Sequence, residues 1–250
     1  VGAAGATVGF TTISAAGSTS GSTFAIGNFT NAISFVGSSG NDTFVVASEV
    51  GFTSASSINA GAGTADVIFY GSTIALNDSI FQKITAGTAE VLSATASSTI
   101  TLGSNALNAG IRTFSAGTDA VGFTVSSGFG TNGMNLTGSS NADTFTFVDG
   151  SALGNSTING GVGTADSIMF AGAVTVTSIA NVSNVETIYL NGSASSTLTI
   201  GNGGLAGTNS LAIYGTAASN TISAASRNDG AVSLFGGASY SDTFTGGSLN

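Results

Sequence analysis

An acidic residue followed by an apolar pair returns at short, nearly even intervals, and few folds accept that rhythm over so long a chain. The acids are Asp42, Asp66, Glu90, Asp119, Asp143, Asp166 and Glu186, with the widest gap between Glu90 and Asp119 and the narrowest between Asp166 and Glu186. Phe44-Val45, Ile68-Phe69, Val91-Leu92, Phe145, Ile168-Met169 and Ile188-Tyr189 follow nearly every one, and Gly or Asn clusters usually precede it. Short apolar runs bounded by Gly, Asn and Ser are strand and turn signals. Helical spacing is weak, its best stretch lying between Ile74 and Ile84.

A longer period contains the shorter one. Gly37-Ser38-Ser39-Gly40-Asn41-Asp42-Thr43-Phe44 returns as Gly138-Ser139-Ser140-Asn141-Ala142-Asp143-Thr144-Phe145, an offset of 101. Gly61-Ala62-Gly63-Thr64-Ala65-Asp66 returns as Gly161-Val162-Gly163-Thr164-Ala165-Asp166 at 100, and Ser97-Ser98-Thr99 as Ser195-Ser196-Thr197 at 98. Glu90 answers to Glu186, and Asp242-Thr243-Phe244 opens a third copy. Drifting offsets are expected where each unit touches only its neighbours and loops absorb insertions. The organisation read from this is the tail of a preceding repeat (1–32), repeat A (33–133), repeat B (134–231) and the start of a third (232–250), in one continuous solenoid.

Strands returning about every 20–25 residues predict an all-β chain, a parallel β-solenoid in which each rung lies on the last at about 4.8 Å. Tandem β-sandwich domains of about a hundred residues are the alternative. They usually bring linkers and some Pro, and this sequence contains no Pro. A chain without Pro suits a backbone whose amides nearly all join a ladder.

Composition removes other classes. Only 6% of residues are charged, yet 42% are hydrophobic, too many for a disordered chain. No Cys and no His are present, which removes disulfides, thiolate metal sites and His-based acid–base chemistry. With a net charge of −9 and three basic residues, Lys83, Arg112 and Arg227, nucleic acid is excluded as a partner. No apolar run approaches the ~18 residues of a spanning helix, so membrane insertion is not expected. Opening at Val1 in mid-pattern, the chain reads as a piece of a longer array.

The segment Gly37 to Val45 resembles the nonapeptide G-G-x-G-x-D-x-U-x of RTX (haemolysin-type) calcium-binding proteins, where U is apolar. Gly160-Gly161-Val162-Gly163-Thr164-Ala165-Asp166 looks like the same motif with one residue inserted. The Gly-rich Asp turn, the Thr/Val strands and Asn184-Val185-Glu186-Thr187-Ile188 are similar to repeats of bacterial RTX-type S-layer and surface proteins, over roughly residues 33–250. The resemblance implies Ca2+ as cofactor, with Asp42, Asp66, Asp143, Asp166 and Asp242 as ligands and Glu90, Asp119 and Glu186 behind them. It also implies export and a place outside the cell at a bacterial surface. Departures are visible: Ser38, Ser139 and Ala238 replace the second Gly, Asn141 and Tyr240 the next, and tandem nonapeptides are missing.

Calcium accepts six to eight oxygens in a flexible cage, and Gly or Asn turns can aim carbonyls into one. The same Asp residues can instead cap turns by accepting backbone N–H bonds, and Asn220, in an equivalent place, favours capping at its rung. Stacked carboxylates about 5 Å apart repel by roughly 3 kcal/mol per pair at an effective dielectric of 20, which a cation would offset.

Remaining signals are weaker. Thr-x-Thr pairs at Thr99/Thr101, Thr175/Thr177, Thr197/Thr199 and Thr243/Thr245 fall at unequal intervals, so ordinary β-propensity rather than an ice-binding face accounts for them. Seven Asn-x-Ser/Thr sequons are what so much Asn, Ser and Thr produces by chance. Glu90 and Glu186 sit in equivalent repeats, which speaks for structure and against a glycosidase pair. The expectation is a non-enzymatic, extracellular structural protein that self-assembles into a surface layer or filament with help from calcium; the alternative is the stalk of an RTX-like adhesin. Expected partners are copies of itself, then cell-surface glycans or another surface.

Overall fold

The computed structural model describes residues 10–27, 32–46, 56–70, 74–85, 90–94, 98–116, 124–127, 132–201, 210–216, 218–227, 230–238 and 240–246. The chain falls into two compact units, Val1–Ala120 and Val121–Asn250. Both are parallel β-solenoids, as the rhythm predicts, and neither shows the antiparallel pairing of a sandwich among its described strands.

In the first unit, β1 (Thr12–Ser14), β3 (Ser34–Val36), β5 (Ser57–Asn59) and β8 (Ile84–Thr85) stack as one sheet. A second sheet runs β2 (Thr23–Ile26), β4 (Thr43–Val46), β6 (Val67–Tyr70), β9 (Glu90–Ala94) and β11 (Ile111–Ser115). β7 (Ile74–Leu76) and β10 (Ser98–Leu102) start a third face. Thr23 pairs with Thr43 and Thr43 with Val67, so each circuit of the chain returns to the same face one rung on.

In the second unit, one sheet runs β12 (Thr124–Ser127), β14 (Thr144–Phe147), β16 (Ser167–Phe170), β19 (Thr187–Leu190), β21 (Ser210–Gly215) and β23 (Ala231–Gly236). Another holds β13 (Asn135–Thr137), β15 (Thr157–Asn159) and β18 (Val182–Ser183). The last holds β17 (Thr175–Val176), β20 (Thr197–Thr199), β22 (Thr221–Ser223) and β24 (Thr243–Thr245).

Register makes the core. Alternate residues point inward, and parallel pairing places like over like. Phe24, Phe44, Ile68, Leu92 and Phe114 form one buried column in the first unit. Phe24 and Phe44 stack face to face with centroids 4.9 Å apart. Phe145, Ile168, Ile188 and Ile213 form the matching column in the second unit, all at 0% exposure. Burying such a side chain contributes about 1.5–3 kcal/mol. On the outer face Met169, Tyr189, Tyr214 and Phe235 share a register, and the last three rings stack at 5.2 and 4.7 Å.

Among the described residues, three helical pieces interrupt the strands. The stretch of weak helical spacing holds a 3-10 turn over Asp78–Lys83, which buries Phe81. Two short helices not anticipated from the sequence are α1 (Ser104–Asn108) and α2 (Gly150–Asn155). The Thr-x-Thr pairs hold a further surprise. Thr175, Thr197, Thr221 and Thr243 lie over one another in register, at intervals of 22, 24 and 22 residues. The pairs Thr197/Thr199 and Thr243/Thr245 look widely spaced because the rung between them carries Thr221 with Ser223.

Candidate functional site

The acids of the repeat stand at one kind of corner, just ahead of a strand. Asp42 precedes β4, Asp66 precedes β6, Asp143 precedes β14, Asp166 precedes β16 and Glu186 precedes β19. Asp42, Asp66, Asp143 and Asp166 are completely buried, which for a carboxylate demands compensating donors.

Those donors are backbone amides. Asp42 Oδ1 accepts the Ser22 N–H at 2.6 Å, and Oδ2 accepts the Ser38 N–H at 2.7 Å. The Ser38 hydroxyl donates to both oxygens, at 3.0 and 3.1 Å. The Asp42 N–H in turn donates to Asp66 Oδ1 of the next rung at 2.7 Å. In the second unit Ser139 binds Asp143 Oδ2 through its N–H at 2.6 Å, and its hydroxyl donates to the same carboxylate. The Asp143 N–H reaches Asp166 Oδ1 at 2.8 Å, and the Asp166 N–H reaches Glu186 Oε2 at 2.8 Å. Along these runs an acid accepts the amide of a residue one rung earlier and offers its own amide to the acid one rung later. The corner is a rung-to-rung staple.

Asn220 uses the same device with a neutral group. Its Oδ1 accepts the Ser196 N–H at 3.0 Å, its Nδ2 donates to the Ala218 carbonyl at 2.8 Å, and its own N–H donates to Asp242 Oδ1 at 2.7 Å. Asp242 Oδ2 accepts the Gly237 N–H at 3.1 Å.

Glycine at the motif's first position is a packing requirement. A Cβ on Gly37 would lie 2.0 Å from the Ala60 carbonyl oxygen and 2.6 Å from Asp42 Oδ2; on Gly138 the figures are 2.0 Å from the Gly160 carbonyl oxygen and 2.7 Å from Asp143 Oδ2. Gly61 and Gly161 have φ of 101° and 109°, the left-handed region that disfavours a side chain.

Burial is the main force pushing the Asp166 carboxyl up to about 7. The Asp143 N–H opposes it, while the negative charges of Asp143 and Glu186 add to it.

Several residues that join rungs in the same way stand outside the acidic rhythm of the sequence. Asp78 Oδ1 accepts the Gly103 N–H at 2.6 Å, and Asp78 also takes the Asn105 and Ala106 amides at the start of α1. Buried serines repeat the idea on another face: Ser156 Oγ accepts the Met134 N–H at 3.1 Å and Ser196 Oγ the Val174 N–H at 3.1 Å. Their signal is the rung interval itself, with Ser156 and Ser196 lying 22 residues beyond the amides they accept.

The donor set at Asp42 and Asp143 does not fit calcium. N–H and O–H groups present their positive ends to these oxygens, where an ion would need oxygen atoms around it. Among the described residues no group of three acids converges on a point that could hold a metal. Glu90 opens β9, its side chain lies outside the described residues, and so does all of Asp119.

Compared with protein-family models, curated proteins and solved structures, the chain finds no match.

Proposed function

We propose that this is a structural protein of a bacterial exterior, whose copies assemble into a surface layer or filament, and that its mechanism is stacking rather than turnover. The observation that carries this reading is the recurrence of one backbone-to-acid joint, from Asp42–Asp66 to Asp143–Asp166–Glu186. A catalytic centre is a single place, whereas a joint that returns with each rung is architecture.

The resemblance of the Gly-rich Asp turns to RTX-type surface repeats supports the extracellular placement. Assembly has surfaces to use: Phe235, Tyr240 and Phe244, on or beside β23 and β24, are 45%, 47% and 40% exposed. Strand edges with open amides and carbonyls are templates for further pairing. In this proposal the described corners hold through amide–carboxylate bonds, and calcium is not what closes them. The stalk of an adhesin is the second reading, since a repeated joint serves a spacer equally well.

Electron microscopy of the purified chain in a calcium chelator tests the proposal. Ordered sheets or filaments that form with concentration are expected. Dispersed single molecules at every concentration would contradict assembly and favour the stalk, and sheets that appear only after calcium is restored would return the metal to the mechanism.

A further inference from the structure

We propose that Tyr189 and Tyr214 form an oxidative cross-linking site, at which a haem peroxidase using hydrogen peroxide joins the two rings into dityrosine and fastens one rung covalently to the next. Such a bond goes beyond the structural role above and does not depend on whether copies assemble.

The two residues are register partners in β19 and β21. Each stands between buried neighbours, Ile188 and Leu190 for the first, Ile213 and Gly215 for the second. Alternation along the strand therefore turns both phenols to the outer face, where they are half-buried. Their rings stack with centroids 5.2 Å apart and planes 18° from parallel. Parallel strands lie about 4.8 Å apart, so the backbones are held at nearly the same separation as the rings. Two like side chains leaving paired positions at this angle put the carbons beside their hydroxyls on one edge of the stack. Rotation about the Cα–Cβ and Cβ–Cγ bonds closes the remaining gap.

Neighbouring side chains confine the reaction to this pair. Phe235 stacks on the far side of Tyr214 at 4.7 Å, and Met169 is the register partner of Tyr189. A phenyl ring has no hydroxyl from which to form a phenoxyl radical, and a thioether takes up an oxygen atom instead. The chain contains no Cys, Trp or His, and its other methionine, Met134, is 2% exposed. One-electron oxidation is thereby directed to the four tyrosines, of which the fold stacks two. Tyr70 closes β6 in the first unit, and Tyr240, in the turn ahead of β24, is open to a second molecule at 47% exposure.

The step balances with peroxide as the oxidant. Each phenol gives up its hydroxyl hydrogen, as a proton and an electron, and becomes a phenoxyl radical. Peroxide accepts both electrons and both protons and leaves as two waters. The radicals pair through a carbon–carbon bond between the ring positions beside the two oxygens. The hydrogens those carbons carried then move to the oxygens, which restores both phenols. The product closes one full circuit of the solenoid, from β19 through β20 to β21, and restricts the unfolded chain as any cross-link does.

Peroxidase and peroxide added to the whole chain in dilute solution test the site. Dityrosine fluorescence should appear in chains that stay monomeric, with a yield per molecule unchanged on dilution. Mass spectrometry of proteolytic fragments should find the Tyr189 and Tyr214 segments joined, lighter by two hydrogens than their sum. Tyr189→Phe and Tyr214→Phe, which keep the ring stack, should each abolish that product, and Tyr70→Phe should leave it. The cross-linked chain should also melt at a higher temperature than the untreated one, and an unchanged melt would deny the fastening. Dityrosine that is absent, or that forms only between molecules with a yield falling on dilution, would overturn the proposal. So would an equal yield of the Tyr189–Tyr214 product from chain unfolded in urea that the peroxidase withstands, because the fold would then contribute nothing. Should a variant fail to fold, the fragments of the unmodified chain still decide.

Discussion

At the scale of single residues, the corner depends on a buried carboxylate being more useful than a buried apolar group. Asp143 receives an amide and a hydroxyl from Ser139 and stands at 0% exposure. Asp143→Ala leaves those donors enclosed without an acceptor, which costs roughly 1–3 kcal/mol per unsatisfied group. Denaturant melts should therefore place Asp143→Ala several kcal/mol below the parent. Asp143→Asn keeps one acceptor oxygen and should lose less; equal losses for the two would speak against the staple. The acids are legible in the sequence because they recur, but their partners are not. A turn-capping Asp and a calcium-ligating Asp are written with the same letters, and only the donors around Asp42 and Asp143 separate the two. Ser38 and Ser139 read as departures from a calcium motif, yet they are the groups that fill it.

At the scale of elements, the apolar residue two places after each acid is the clearest part of the sequence. Phe44, Ile68, Phe145, Ile168 and Ile188 all enter buried columns, because strands of a parallel ladder align the same face rung after rung. What spacing obscures is the constancy beneath it. Thr175, Thr197, Thr221 and Thr243 stack in register, and a search for Thr-x-Thr pairs misses the ladder because Ser223 stands where the neighbouring rungs have Thr199 and Thr245. The helices are illegible for another reason. α1 and α2 have 5 and 6 residues, too short for an apolar stripe, and α2 is announced only by Asp149, which accepts the Ser151 and Ala152 amides. The columns carry a prediction of their own. Ile213→Ala should destabilise the second unit by about 2–5 kcal/mol, the range for a buried aliphatic truncation. An unaltered midpoint in urea would mean the column is not packed as described.

At the scale of the whole molecule, the repetition of about a hundred residues reports two rungs' worth of equivalent corners, Asp42 matching Asp143 at an offset of 101 and Asp66 matching Asp166 at an offset of 100. The fold class follows from that repetition, and the absence of Pro fits it, since an amide missing from any rung would break a ladder. Function follows less directly, because stacked rungs serve a lattice and a stalk alike. Common to both is the claim that amides in the turns, and not only those in the strands, join rungs together. Hydrogen exchange at the Asp42, Asp143, Asp166 and Asn220 amides measures this most directly. They lie in turns, where amides ordinarily exchange fast, yet each donates to a side chain of the following rung. Protection equal to that of the adjoining strand amides is expected at all four. Exchange as fast as in an open loop would show that the rungs are not stapled at these corners.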